Sequence, residues 1–135
     1  FLLCSEGGFF KARLSFTKNY PLMPPTLRFS SEMWHPNGEH FPLAQYSYDI
    51  IVYTDGTVCI SILHEPGIDR FGYERPEERW LPIHTVETIL LSTISMLSSP
   101  NLESPANPEA AKDYRDAPET FKKKVQRTVR LSQEM

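Results

Sequence analysis

Cysteine is scarce: only Cys4 and Cys59 occur in 135 residues. They can form one disulfide at most, which is not the even-numbered framework that staples a secreted mini-domain. No signal peptide is visible, so the expected setting is reducing, cytoplasmic or nuclear. There is also no run of eighteen apolar residues, so no membrane span is expected. A net charge of -3 leaves no positive excess to attract nucleic acid or an anionic membrane. No repeat or low-complexity stretch is present. No metal site is expected at His35, whose better reading is a structural histidine bonded to backbone. The chain opens on Phe1, and the expectation is that an N-terminal part is missing.

What remains is one ordinary globular domain. Apolar residues are 40% and charged residues 23%, and the length suits a single core. Proline is the plentiful component, at 12, and it punctuates the chain with fixed loops.

The central stretch is Tyr53 to Leu63, YTDGTVCISIL. Asp55-Gly56 marks a tight turn, and Val58, Ile60 and Ile62 then alternate through a short, mostly buried segment that is extended or tightly turned. Cys59 follows the turn directly. A lone cysteine in such a run is most often a small buried hydrophobe. A reactive role needs exposure and a favourable environment.

Upstream, Gly8 to Phe16 alternates Phe10, Ala12, Leu14 and Phe16 with Lys11, Arg13 and Ser15, which predicts a half-buried strand. Tyr20 to Pro25, YPLMPP, is a rigid loop holding Leu22 and Met23. Either they fold inward as core, or they form an exposed apolar contact. Thr26 to Ser30 is a second strand. In MWHPN, Pro36 keeps His35 extended, and His35 reads as a structural histidine bonded to backbone. Asn37 supplies an amide donor of the kind that stabilises an oxyanion.

Downstream, residues 65–78 carry Glu65, Asp69, Glu74, Glu77 and Glu78 against Arg70 and Arg75. Such a run is usually a solvated loop, but this one is longer than the usual connection, and long ordered loops tend to be functional. Trp80 to Ile83 is another rigid apolar corner. Thr85 to Leu97 predicts a largely buried helix, capped by Thr85, with Val86, Ile89, Leu90, Ile94 and Leu97 in its stripe and Leu91 and Met96 widening it. Asn107-Pro108 opens a second helix. Asp116 to Glu119 opens a third, with Phe121, Val125 and Val129 on one side. Lys122, Lys123, Lys124, Arg127 and Arg130 form its outer face, which reads as solvated surface.

Taken in order, YPLMPP, MWHPN, DGTVCISIL, RWLPIHTVETILLS and PNLESPAN resemble the ubiquitin-conjugating enzymes. The segment HEPGIDRFGYERPEERW is similar to the inserted acidic loop of one subfamily. The resemblance runs from about Glu6 to the end. It implies an α+β fold, the UBC-like fold, made of an antiparallel meander sheet followed by C-terminal helices. It also implies that Cys59 carries ubiquitin as a thioester and that Asn37 stabilises the oxyanion of transfer or orders the loop that does so. His35 and Pro36 are then structural. Leu22, Met23, Pro82 and Ile83 fall at the two ligase-contact loops. Ser104 takes the gate position, where many members carry an acid that helps deprotonate lysine. Implied partners are ubiquitin, the activating enzyme, a RING-type ligase and a protein substrate, in chain formation ahead of proteasomal degradation. No cofactor is implied, since ATP is consumed by the activating enzyme.

The chain departs from the family in three places. The family's N-terminal helix and first strand are not visible, and Phe1 to Ser5 do not look like the family. His35 and Cys59 stand further apart than in the family. Joining Asn37 to Val52 restores the pattern, which makes Gly38 to Ile51 (38–51) an insertion within the 1–135 core domain. Thr17 stands where proline is common. The alternative reading is a catalytically inactive, family-like binding module or an incomplete gene product. A cysteine protease is a poor third, because no His and Asn/Asp pair stands in a recognisable protease context.

Overall fold

The computed structural model describes residues 2–5, 7–31, 33–36, 38, 51–53, 55–102 and 107–134. Three strands form an antiparallel meander in chain order: β1 (Leu2–Ser5), β2 (Gly8–Ser15) and β3 (Thr26–Phe29). The alternation in β2 does what its pattern dictates. Phe10 and Ala12 are buried, while Lys11 and Arg13 face solvent. The strand ends one residue before Phe16, which turns out to pack edge-on against Tyr20 at a ring separation of 4.8 Å.

The sequence reading found no strand ahead of β2, and the structure corrects that. Leu2–Ser5 pairs with β2, Leu2 opposite Lys11 and Ser5 opposite Gly8. Gly7 makes the reversal at a φ of 80°. This pairing is a backbone matter and leaves little periodicity in four residues.

A second, two-stranded unit carries the central stretch. Its strands β4 (Ile51–Val52) and β5 (Val58–Cys59) run antiparallel. Gly56 sits in the turn between them at a φ of 88°, donates its N–H to Tyr53 O, and accepts from Phe29 N–H at 2.8 Å. A side chain at Gly56 would run into the Phe29 carbonyl, so only glycine fits. Asp55 closes the same turn by accepting from the Thr57 N–H and hydroxyl at 2.8 and 2.9 Å. An Arg28–Thr57 bridge ties the hairpin to β3.

Three helices follow: α1 (Val86–Ser98), α2 (Pro108–Asp116) and α3 (Pro118–Glu134). Thr85 caps α1 as expected, with its hydroxyl accepting from Thr88 N–H. The buried face differs from the expected stripe. It is Ile89, Thr93 and Met96, whereas Leu91 is 58% exposed and Ile94 also reaches solvent. Thr93 can lie at the centre because its hydroxyl donates to Ile89 O at 2.8 Å.

Asn107 caps α2 by accepting from Ala110 N–H. In α3, Lys124 is not part of an outer basic face. It is partly buried, bonded to Glu109 and Asp113 at 2.7 Å each, with Nζ 4.3 Å from the Trp34 ring centroid. The core gathers Phe10, Leu27, Phe29, Val52, Val58, Ile60, Trp80, Ile89 and Met96.

Candidate active site

Cys59 ends β5, next to buried Ile60 and a 3-10 turn at Ser61–Leu63. The thiol is partly exposed, so it sits at a surface while its neighbours on both sides anchor the backbone. His64 follows the turn. Its Nε2 lies 3.1 Å from Cys59 Sγ, and its Nδ1 lies 2.8 and 2.9 Å from the two carboxylate oxygens of Glu74. Ser61 Oγ donates to the same carboxylate at 2.9 Å. Arg79 stands behind it, 3.7 Å from Glu74 and 3.9 Å from Asp69.

The acidic segment builds this arrangement. Asp69 accepts the backbone N–H groups of Phe71, Tyr73 and Glu74, which folds residues 69–74 back on themselves. Those donors, the Phe71 N–H first, hold the Asp69 carboxyl below its usual range. Arg79 Nε donates to Glu65 O at 2.7 Å and joins the two ends of the loop. The result is that the Glu74 side chain is only 8% exposed although it belongs to a charged surface loop.

The contact with Cys59, more than that with Glu74, raises the His64 pKa to about 9, against a smaller opposing effect of burial. Near neutral pH the ring is therefore an imidazolium that donates from both nitrogens, to sulfur and to carboxylate. Sequence reasoning passed over both residues. The available signals were a histidine five positions after the cysteine and one acid in a run of acids, and neither is specific alone.

His35 is buried, as a structural histidine should be. Burial lowers its pKa to about 4, while bonds to the backbone of Leu97 and Met96 oppose the fall. The Pro36 carbonyl accepts from Asn107 N–H at 2.8 Å, linking this segment to the α2 cap. A pH effect on stability follows. The unfolded chain protonates His35 from about pH 6.5 downward, and the folded chain does not until about pH 4. His35's contribution is therefore complete above pH 6.5 and falls as the pH drops to 4, by about 3 kcal/mol. Denaturant melts across that range, with NMR titration of the His35 ring, check this. A folded-state titration near 6.5 would refute it.

Leu22 is 67% and Ile83 81% exposed, so both loops present apolar side chains outward. Met23 is half-buried and Pro82 exposed. Trp80 joins the two corners, since its indole N–H donates to Pro21 O at 2.9 Å. Gly38 and Val52 form a bridge, so the chain that leaves at 38 is back beside it at 52. Residues 39–50, Asn37 and Ser104 lie outside the described residues. Among the described residues, no group of three or more His, Cys, Asp or Glu could hold a metal, and no helix is long and apolar enough to cross a membrane.

A partly exposed thiol beside an imidazole and a carboxylate, on a small α+β frame, is the arrangement that enzymes moving acyl groups through a thiol require. The sequence pattern described as "Ubiquitin-conjugating enzyme" matches residues 4–129. Ubiquitin-conjugating enzyme E2 7 of Arabidopsis thaliana is 61% identical over 130 residues, covering 96% of this chain and 70% of that protein. Ubiquitin-conjugating enzyme E2 15 of Schizosaccharomyces pombe is 58% identical over the same shares. The human ubiquitin-conjugating enzyme E2 G2 is 50% identical over 129 residues, again 96% of this chain and 70% of that one. The chain belongs to the ubiquitin-conjugating enzymes, which are transferases, and it has their α+β fold.

Proposed function

We propose that Cys59 accepts ubiquitin from the activating enzyme and passes it to lysine. The Cys59 sulfur attacks the activating enzyme's thioester carbonyl, the activating enzyme's thiol leaves, and ubiquitin's C-terminal glycine is now a thioester on Cys59. A lysine amine then attacks that carbonyl, and Cys59 leaves as the isopeptide bond forms. Splitting one hard acyl transfer into two easier ones is what the thiol contributes. The observation that carries this reading is the position of the Cys59 thiol, partly exposed at a strand end with His64 at 3.1 Å.

Asn37 donates its amide to the oxyanion of the transfer step. Ser104 occupies the gate position and brings no carboxylate there. Leu22, Met23, Pro82 and Ile83 form the contact for a RING-type ligase; the exposure of Leu22 and Ile83 supports this. Residues 38–51 are an insertion whose ends meet at the Gly38–Val52 bridge. The enzyme needs no bound cofactor, because ATP is used by the activating enzyme. It works in the cytoplasm or nucleus on protein substrates, building chains that lead to the proteasome.

The test separates loading from discharge. Incubation with activating enzyme, ATP and ubiquitin gives a thiol-sensitive adduct that peptide mapping places on Cys59; an adduct on Cys4 instead would sink the reading. Asn37→Ala lowers discharge to lysine roughly 100-fold while loading persists. Leu22→Ala and Ile83→Ala each weaken ligase-stimulated discharge, by ~1–2 kcal/mol of ligase affinity, and leave loading intact.

A further inference from the structure

We propose that His64, held by Glu74, is the proton carrier of the transfer reaction: it gives its proton up when Cys59 is acylated and takes one from the incoming lysine ammonium. The inference rests on Cys59 being the acceptor. It deepens that reading by giving roles to two residues that the sequence reading left without one.

The geometry is that of a relay. His64 Nε2 touches the reacting sulfur at 3.1 Å, and Nδ1 is fixed by both oxygens of a largely buried carboxylate. Few ring orientations satisfy both contacts. The other groups around the pair act on Glu74. Ser61 donates to it, Arg79 lies 3.7 Å away, and Asp69 balances Arg79 from 3.9 Å. Among the described residues, Cys59 on the strand and Glu74 on the loop are thus the charged or ionisable groups bonded to the ring itself.

Acylation changes one of these two contacts and leaves the other. In the free enzyme the imidazolium donates to sulfur, and that contact is the largest cause of its raised pKa. A thioester sulfur bears no charge and accepts hydrogen bonds poorly. When the thioester forms, the Nε2 proton goes to the departing thiolate of the activating enzyme, leaving neutral His64. The Glu74 carboxylate still holds Nδ1–H, so the free lone pair on Nε2 points toward the thioester.

An incoming lysine arrives as an ammonium and cannot attack. It gives one proton to Nε2, and the amine adds to the carbonyl. The adduct's nitrogen loses its second proton to water as the C–S bond breaks. The amide is formed, the electron pair of the broken C–S bond returns to the Cys59 sulfur, and the Nε2–H faces that sulfur again as in the free enzyme. Positioned general bases of this kind contribute about 100- to 10,000-fold.

The test is a single-turnover chase from preloaded enzyme, using two nucleophiles. Free lysine needs deprotonation at neutral pH, whereas hydroxylamine is already unprotonated. His64→Gln, whose amide can still donate to Glu74, is expected to lose roughly 100-fold toward lysine at pH 7. Toward hydroxylamine it stays close to wild type. Its lysine defect shrinks as the pH is raised, because bulk hydroxide replaces the base. Glu74→Gln shows the same selectivity with a smaller loss. Equal loss with both nucleophiles, or no loss with lysine, overturns the proposal. A wild-type chain that takes no ubiquitin on Cys59 instead overturns the acceptor reading, and the proposal with it.

Discussion

A Cys59→Ala chain forms no thiol-sensitive ubiquitin adduct at all, the largest functional effect expected of any single substitution here. The reasoning is chemical. Thioester formation requires a sulfur that can attack a carbonyl, and alanine offers none. Cys59 is held at the end of β5 by the Ile51 and Val52 pairing, and His64 reaches its sulfur. Cys59→Ser keeps an attacking atom in place, so it yields an oxygen ester or no product. Such an ester survives a thiol reductant that strips the wild-type adduct. A reductant-sensitive band from Cys59→Ala would show that the acceptor lies elsewhere. The substitution removes one small, partly exposed side chain, so the melting temperature should change little and loss of fold can be separated from loss of chemistry.

Half of this site was legible in the chain. Cys59 stands out because a turn signal precedes it and an apolar run encloses it, and both features survive as the Gly56 turn and buried Val58 and Ile60. His64 and Glu74 were not legible. Glu74 becomes a partner of His64 only because Asp69 gathers three backbone N–H groups and Arg79 closes the loop onto Glu65. Those bonds are made in three dimensions, and the same acids in an unfolded-back loop would be the solvated run that the composition suggests. The His64–Glu74 pair beside Cys59 is thus supplied by geometry alone.

The fold divides in a similar way. The Asn107-Pro108 signal located the start of α2, and side-chain periodicity located β2 and α1, because burial on one face is what writes a period into a sequence. It could not locate β1, whose identity lies in backbone pairing with β2. It overstated the apolar stripe of α1 by reading Leu91 as core and ignoring Thr93, since a hydroxyl that bonds its own helix can be buried at little cost. It placed Lys124 outside, although Glu109 and Asp113 from α2 draw it inward.

Trp80→Ala is expected to destabilise the chain by about 3–5 kcal/mol, the largest stability effect here. Trp80 is fully buried, the largest such side chain among the described residues. Its backbone N–H donates to His64 O at 3.1 Å, and its indole N–H donates to Pro21 O at 2.9 Å. One residue therefore links the segment that holds His64, the loop that presents Leu22 and the corner that presents Ile83. Truncation leaves a cavity and removes the indole hydrogen bond to Pro21 O. Trp80→Phe separates these two costs. It keeps an aromatic ring beside Tyr20 and His84 but removes the donor, so about 0.5–1.5 kcal/mol is expected from the lost hydrogen bond to the exposed Pro21, with a packing loss added. Urea titrations of both variants measure the difference. An alanine variant that loses less than about 1 kcal/mol would mean that the site collapses around the gap and that Trp80 does not tie these segments together.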